Sequence, residues 1–161
     1  MEYKGKSSIM GINIAVIGGS VCSKKFYKIA RDTGRLIAQQ GWTLVCGGGF
    51  GVMEAACKGA KEKGGFTVGI LPGYDCREAN DFLDVNIPTG LGCARNVLVV
   101  RSSEAIIAID GQYGTLSEIA FAFNEGKPIV GIDSWQIKGL IMVDSAEEAV
   151  KKTKYFLERK K

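Results

Sequence analysis

The sequence predicts an α/β fold in which a parallel sheet carries helices on both faces. Three observations carry that prediction. Short apolar runs alternate with segments of helical period along the chain, the pattern of strand–helix–strand units. Glycine-rich turns follow several of the apolar runs and separate them from the helical segments. No composition shift, repeat or low-complexity segment divides the 161 residues, which are enough for one substantial core. Residues 1–161 therefore read as a single Rossmann-like domain.

Met1 to Ser8 reads as a loose leader. Ile12 to Ile17 is the first strand, closed by Gly18-Gly19-Ser20. Ser23 can cap a helix whose Phe26, Ile29, Ala30, Thr33 and Ile37 share one face, and Gly41 ends it. Trp42 to Cys46 is the second strand; Gly47-Gly48-Gly49-Phe50-Gly51 follows, then a helix from Val52 to Lys63 stopped by Gly64-Gly65. On that helix Cys57 shares a face with Met53, Ala56 and Ala60 and reads as core. Phe66 to Leu71 is the third strand, ended by Pro72-Gly73. Asp81 to Pro88 reads mostly as loop with room for a short strand. Cys93 to Arg101 reads as a helix with Ala94, Val97, Leu98 and Arg101 on one side.

Ala105 to Ile109 is an unbroken apolar run, the mark of a strand buried on both faces. After Asp110-Gly111-Gln112-Tyr113-Gly114-Thr115, the residues Leu116, Ile119, Ala120 and Phe123 recur at helical spacing and define an expected inward face. Thr115 and Glu118 carry two readings. As Thr-x-x-Glu they make a capping box. Alternatively Thr115 and the glycine amides hold a phosphate at the positive end of the helix, and Glu118 faces the ligand. Gly126 ends this helix, and Pro128 to Ile132 is the next strand. Trp135 to Gly139 connects to a last strand, Leu140 to Val143. Ser145-x-x-Glu148 opens a final helix with Ala146, Ala149, Val150, Thr153 and Leu157 inward.

Three glycine turns thus close strands: Gly18-Gly19-Ser20, Gly47 to Gly51 and Asp110 to Thr115. In a parallel sheet they share the carboxyl edge and can converge on one cleft of nucleotide or phosphate size. No Gly-x-x-x-x-Gly-Lys-Ser/Thr occurs, which excludes an ATP-type phosphate loop. Val52 stands where a dinucleotide fingerprint needs glycine or alanine, which argues against a dehydrogenase. Ser20 lacks the setting of a hydrolase nucleophile.

The chain has no histidine, so acid–base chemistry falls to other groups and the commonest metal ligand is missing. No metal site is expected. The five cysteines form no Cys-x-x-Cys pair, which fits a reducing cytoplasm. The net charge of +4 gathers at the C-terminal lysines; it suits anionic small molecules and is too local to predict nucleic-acid binding. No run reaches the roughly 18 apolar residues of a membrane span.

Gly47-Gly48-Gly49 with Gly51-Val52-Met53, and Gly111 with Gly114-Thr115-x-x-Glu118, resemble the paired signatures of the LOG family, Gly-Gly-Gly-x-x-Gly-x-Met and Pro-Gly-Gly-x-Gly-Thr-x-x-Glu. Arg95 matches the arginine upstream of the second signature. LOG proteins, long labelled lysine decarboxylases, are phosphoribohydrolases that split nucleoside 5′-monophosphates into free base and ribose 5-phosphate. The resemblance implies Arg95 and Glu118 as the catalytic pair. It places Gly111, Gly114 and Thr115 on the 5′-phosphate, with Gly18, Gly19, Ser20, Gly47, Gly48, Gly49, Asn96 and Tyr113 in the same phosphate and nucleotide site.

The match has departures. Asp110 replaces the family proline, Gln112 the second glycine and Asn96 the usual lysine, and the first signature is one residue short before Gly51. Gly90-Leu91-Gly92-x-x-Arg95-Asn96 more closely resembles a sister branch that includes the molybdenum cofactor carrier proteins. Two expectations follow from the resemblance: an enzyme acting on nucleoside 5′-monophosphates, or a non-catalytic carrier of a phosphorylated heterocycle. Either way the ligand is a small phosphorylated molecule, a bound nucleotide or pterin phosphate; no further cofactor is required, and the chain forms a homodimer or larger homo-oligomer.

Overall fold

The computed structural model describes residues 11–159. Seven strands form one parallel sheet. In chain order the elements are β1 (Asn13–Gly18), α1 (Lys24–Gln39), β2 (Thr43–Cys46), α2 (Val52–Lys61), β3 (Thr67–Leu71), β4 (Val85–Pro88), α3 (Asn96–Arg101), β5 (Ala105–Ile109), α4 (Tyr113–Asn124), β6 (Ile129–Ile132), β7 (Ile141–Val143) and α5 (Ala146–Arg159). Across the sheet they run β4-β3-β2-β1-β5-β6-β7. The order reverses between β1 and β5, which pair from Ile14↔Ala105 to Gly18↔Ile109. Open sheets of this kind bind ligands beyond the carboxyl ends of the strands at such a reversal.

Alternation along β1 divides the core. Ile14 and Val16 pack with Ala30 and Ile37 of α1, Ala56 and Cys57 of α2 and Ala149 of α5. Ala15 and Ile17 point the other way, to Val99 and Val100 of α3 and Ile119 and Ala122 of α4. Every residue of β5 is buried, as its unbroken apolar run predicts. Two glycines set the approach of α1 to α2. A Cβ on Gly34 would lie 1.9 Å from the Ala56 carbonyl oxygen, and one on Gly59 would lie 1.8 Å from that of Arg31.

Helix ends follow local chemistry. Ser23 Oγ accepts from the Phe26 N–H at 3.3 Å at the start of α1. At α5 the Glu148 N–H donates to Ser145 Oγ, and the Glu148 carboxylate accepts from the Asp144 N–H. Cys57 is fully buried, 3.5 Å from the Cys46 sulfur.

The structure corrects or sharpens several sequence expectations. Residues 81–88, expected mostly as loop with room for a short strand, hold that strand at Val85–Pro88, parallel to β3. This edge strand is exposed along its length, so burial leaves no alternation to read. The helix expected from Cys93 is a 3-10 turn (Gly92–Arg95) followed by α3, and its buried face is Asn96, Val99 and Val100. The buried face of α4 is Thr115, Glu118, Ile119 and Ala122, while Ala120 and Phe123 are exposed. The expected leader, residues 1–8, lies outside the described residues. Among the described residues no helix is long and apolar enough to cross a membrane.

Candidate functional site

A cleft of about 410 Å³ opens beyond the paired carboxyl ends of β1 and β5. Nine of the residues singled out from sequence line it: Gly18, Gly19, Ser20, Gly47, Arg95, Asn96, Gly114, Thr115 and Glu118. They come from the loops after β1 and β2, the turn before α3 and the first turns of α4. Gly48, Gly49, Gly111 and Tyr113 are not among the lining residues.

The entry into α4 is set by backbone conformation. Asp110 has φ 50° and Gly111 φ 105°. Asp is among the few side chains that tolerate the left-handed region, and a proline, with φ fixed near −65°, cannot adopt it. The departure at Asp110 therefore marks a turn with its own backbone path. The Asp110 carbonyl accepts from Ser134 Oγ at 2.8 Å. A Cβ on Gly111 would meet Thr115 Oγ1 at 2.3 Å, so the turn folds tightly over Thr115.

The helix consequently starts early. Gln112 is its N-cap, with no side-chain cap, and the first helical bond runs from Leu116 N–H to the Gln112 carbonyl. Thr115 is the third residue of the helix rather than its cap, so the capping-box reading fails. The N–H groups of Tyr113, Gly114 and Thr115 precede the first helical bond and carry the positive end of the helix dipole. The Tyr113 ring is 80 % exposed and stacks on Trp135, whose Nε1 donates to the Gln112 carbonyl.

Arg95 ends the 3-10 turn and reaches under the β2 loop. Its Nη1 donates to the Ile70 carbonyl at 2.8 Å, and a Cβ on Gly47 would sit 2.0 Å from that nitrogen. Only glycine at 47 leaves room for the guanidinium in this pose. Arg95 Nε is buried with no hydrogen-bond partner. Asn80 braces the loop that sequence reasoning assigned to the ligand: its Nδ2 donates to the carbonyls of Gly49 at 2.8 Å and Gly48 at 3.3 Å.

Glu118 lies one helical turn beyond the open N–H groups and is 7 % exposed. Its carboxyl makes no hydrogen bond or ion pair among the described residues. Burial pushes its pKa up to about 8, and the Arg95 charge pulls against that rise. A carboxyl in this setting is mostly protonated at pH 7, and a nearby phosphate-bound or cationic species would change that balance. The chemistry available is therefore a dipole end and an arginine for an anion, with a tunable carboxyl in the same cleft.

Seven lining residues were not singled out as site residues from sequence: Ile17, Val21, Met53, Pro72, Gly92, Cys93 and Gln112. The Gly92 and Gln112 positions had a signal, since they lie inside the two motifs. Met53 had one too, as the methionine of the first signature, whereas Pro72 had none beyond adjacency to a strand end. Among the described residues no group of three or more His, Cys, Asp or Glu side chains could hold a metal.

Comparison with known proteins places this site in context. The sequence model of the SLOG cluster4 family matches residues 11–158. The chain is 47% identical over 140 residues to an uncharacterized protein of Archaeoglobus fulgidus, covering 86% of this chain and 92% of that one. It is 38% identical over 117 residues to a cytokinin riboside 5′-monophosphate phosphoribohydrolase of Mycobacterium tuberculosis, covering 67% of this chain and 63% of that relative's length. Among solved structures, the molybdenum cofactor binding protein of Rippkaea orientalis is similar at a TM-score of 0.88 and 34% identity, covering 93% of this chain and 99% of that one.

Proposed function

The chain belongs to the SLOG cluster4 family, and from that premise we propose that it is a phosphoribohydrolase, cleaving a nucleoside 5′-monophosphate to free base and ribose 5-phosphate. The observation that carries this reading is Glu118, nine-tenths buried on the cleft wall one turn above the open N–H groups of α4. That spacing suits a ligand with an anion at one end and a reacting carbon further in.

In the proposed reaction the 5′-phosphate sits at the N-terminus of α4 and presents charge to Arg95. The glycosidic C–N bond breaks, and its electron pair leaves with the base, which takes up a proton from solvent. The anomeric carbon gains positive charge, which the ionised Glu118 stabilises. Water attacks that carbon, and Glu118 orients it, accepts its proton and returns that proton to solvent at the end of the cycle. No cofactor enters this reaction. The phosphate dianion and Arg95 act in opposite senses on the Glu118 proton, so ionisation depends on how closely Arg95 follows the ligand.

A second reading is a binding protein for a phosphorylated heterocycle without turnover. Two observations favour it: the likeness to the Rippkaea protein covers nearly both chains, and a Glu118 that holds its proton near neutrality can donate a hydrogen bond to a carbonyl or ring nitrogen. Incubating the purified protein with AMP, GMP, CMP, UMP and a cytokinin monophosphate separates the two. The hydrolase reading expects free base and ribose 5-phosphate in equal amounts from at least one of them. Tight binding of a phosphorylated heterocycle with no product from any substrate would replace it with the carrier.

A further inference from the structure

Asn96 lines the cleft and is 6 % exposed, and its orientation is fixed by its neighbours. Its Nδ2 lies 3.0 Å from Ser117 Oγ and 3.5 Å from the Gly114 carbonyl oxygen. The Ser117 hydroxyl donates its one hydrogen to that same carbonyl at 2.6 Å. Ser117 Oγ can then only accept from Asn96, and the carbonyl can accept but never donate. Both contacts therefore require the NH2 end of the amide to face α4. The carbonyl end, Oδ1, has no partner among the described residues. Asn96 presents a hydrogen-bond acceptor to the ligand, the wrong polarity for a phosphate oxygen and the right one for a hydroxyl.

Its position along the ligand follows from the same contacts. Asn96 is tied to Gly114, beside the open N–H groups, and to Ser117, next to Glu118. Gly114 and Ser117 are three residues apart on one helix, about 4.5 Å along its axis. In a nucleoside 5′-monophosphate the sugar lies between the phosphate and the glycosidic carbon. With phosphate at the start of α4 and that carbon at Glu118, the sugar ring falls beside Asn96.

From this we infer that Asn96 Oδ1 accepts a hydrogen bond from one ribose hydroxyl and makes the site selective for nucleotides that carry that hydroxyl. The inference rests on the nucleotide reading of the cleft proposed above. It assigns Asn96 to the sugar, and leaves the phosphate to α4 and Arg95.

Calorimetric titration with AMP, 2′-deoxy-AMP and 3′-deoxy-AMP tests it. The intact protein is expected to bind AMP roughly tenfold more tightly than one of the two deoxy forms, the worth of one hydrogen bond to a neutral group. That form identifies the hydroxyl. Asn96→Ala should bring the ratio close to one. Asn96→Asp keeps an acceptor in place, and should retain the preference while weakening binding of every nucleotide through its charge. Circular dichroism checks that each variant is folded. Equal binding of all three nucleotides by the intact protein, or an unchanged ratio in Asn96→Ala, would overturn the inference while leaving the nucleotide site standing. Failure to bind any of the three would overturn both.

Discussion

Glu118 is where the fold carries a measurable cost. Its pKa is 4.5 in an ordinary setting and about 8 in the folded protein. Below pH 4.5 it is protonated in both states and contributes nothing to the pH dependence. As pH rises from there, the unfolded chain loses the proton while the folded chain keeps it, so the unfolded state gains. The loss of stability grows through the interval and is complete above pH 8. At about 1.4 kcal/mol per unit the full effect is several kcal/mol. Glu118→Gln removes the titrating group, so its denaturant midpoint should exceed that of the parent at pH 9 and approach it at pH 5. A parent protein whose midpoint rises between those values on account of Glu118 would contradict the burial argument.

At the scale of elements, the α1–α2 contact is the tightest constraint. Gly34 and Gly59 each face the other helix's backbone, and neither carbonyl is the end of a flexible side chain. Adding a methyl at either position must push the helices apart. Overpacking of this kind costs typically 1–3 kcal/mol, so Gly34→Ala and Gly59→Ala should each lower stability by about that much or more. The measurement is chemical denaturation; an unchanged midpoint in both would show that the helices yield freely.

The same scale shows what the sequence made legible. The strand at residues 105–109 follows from an unbroken apolar run and a glycine turn, while its place beside β1 is visible only in the structure. The face of α4 did not follow. Its inward side was assigned to Leu116, Ile119, Ala120 and Phe123; of these only Ile119 is buried, and the buried side also carries Thr115, Glu118 and Ala122. The cleft takes the place of core there, and hydrophobic periodicity reports only core. The Thr-x-x-Glu pattern misled for a related reason: a left-handed Asp110 starts the helix three residues early, and no local propensity announces that. Asn80 was missed because a single asparagine in an irregular stretch has no pattern, although it holds the Gly48–Gly49 loop.

For the molecule as a whole, a single parallel sheet brings residues from both halves of the chain to one edge, so Arg95, Asn96 and Glu118 meet Gly18 and Gly47 across distant sequence. We propose that this unit works as a homo-oligomer. Phe123 of α4 is 37 % exposed and Tyr74 88 % exposed, an apolar exposure that a partner surface would cover. Light scattering at micromolar concentration should return a mass at least twice the 17.3 kDa of the chain. A mass equal to one chain would remove this proposal and leave the site intact.

The proposed chemistry stands or falls on the Glu118 carboxylate. The most direct test is the pH dependence of base release from AMP, compared between the protein and Glu118→Gln between about pH 6 and 9. The active form carries Glu118 ionised, so kcat/KM should rise with pH and level off above the free-protein value of about 8. Glu118→Gln should fall by about 100-fold or more and lose that rise, while calorimetry shows AMP still bound. Equal release by the two proteins, or a rate that falls as pH rises through 8, would contradict the assignment of Glu118 as the carboxylate that carries the reaction.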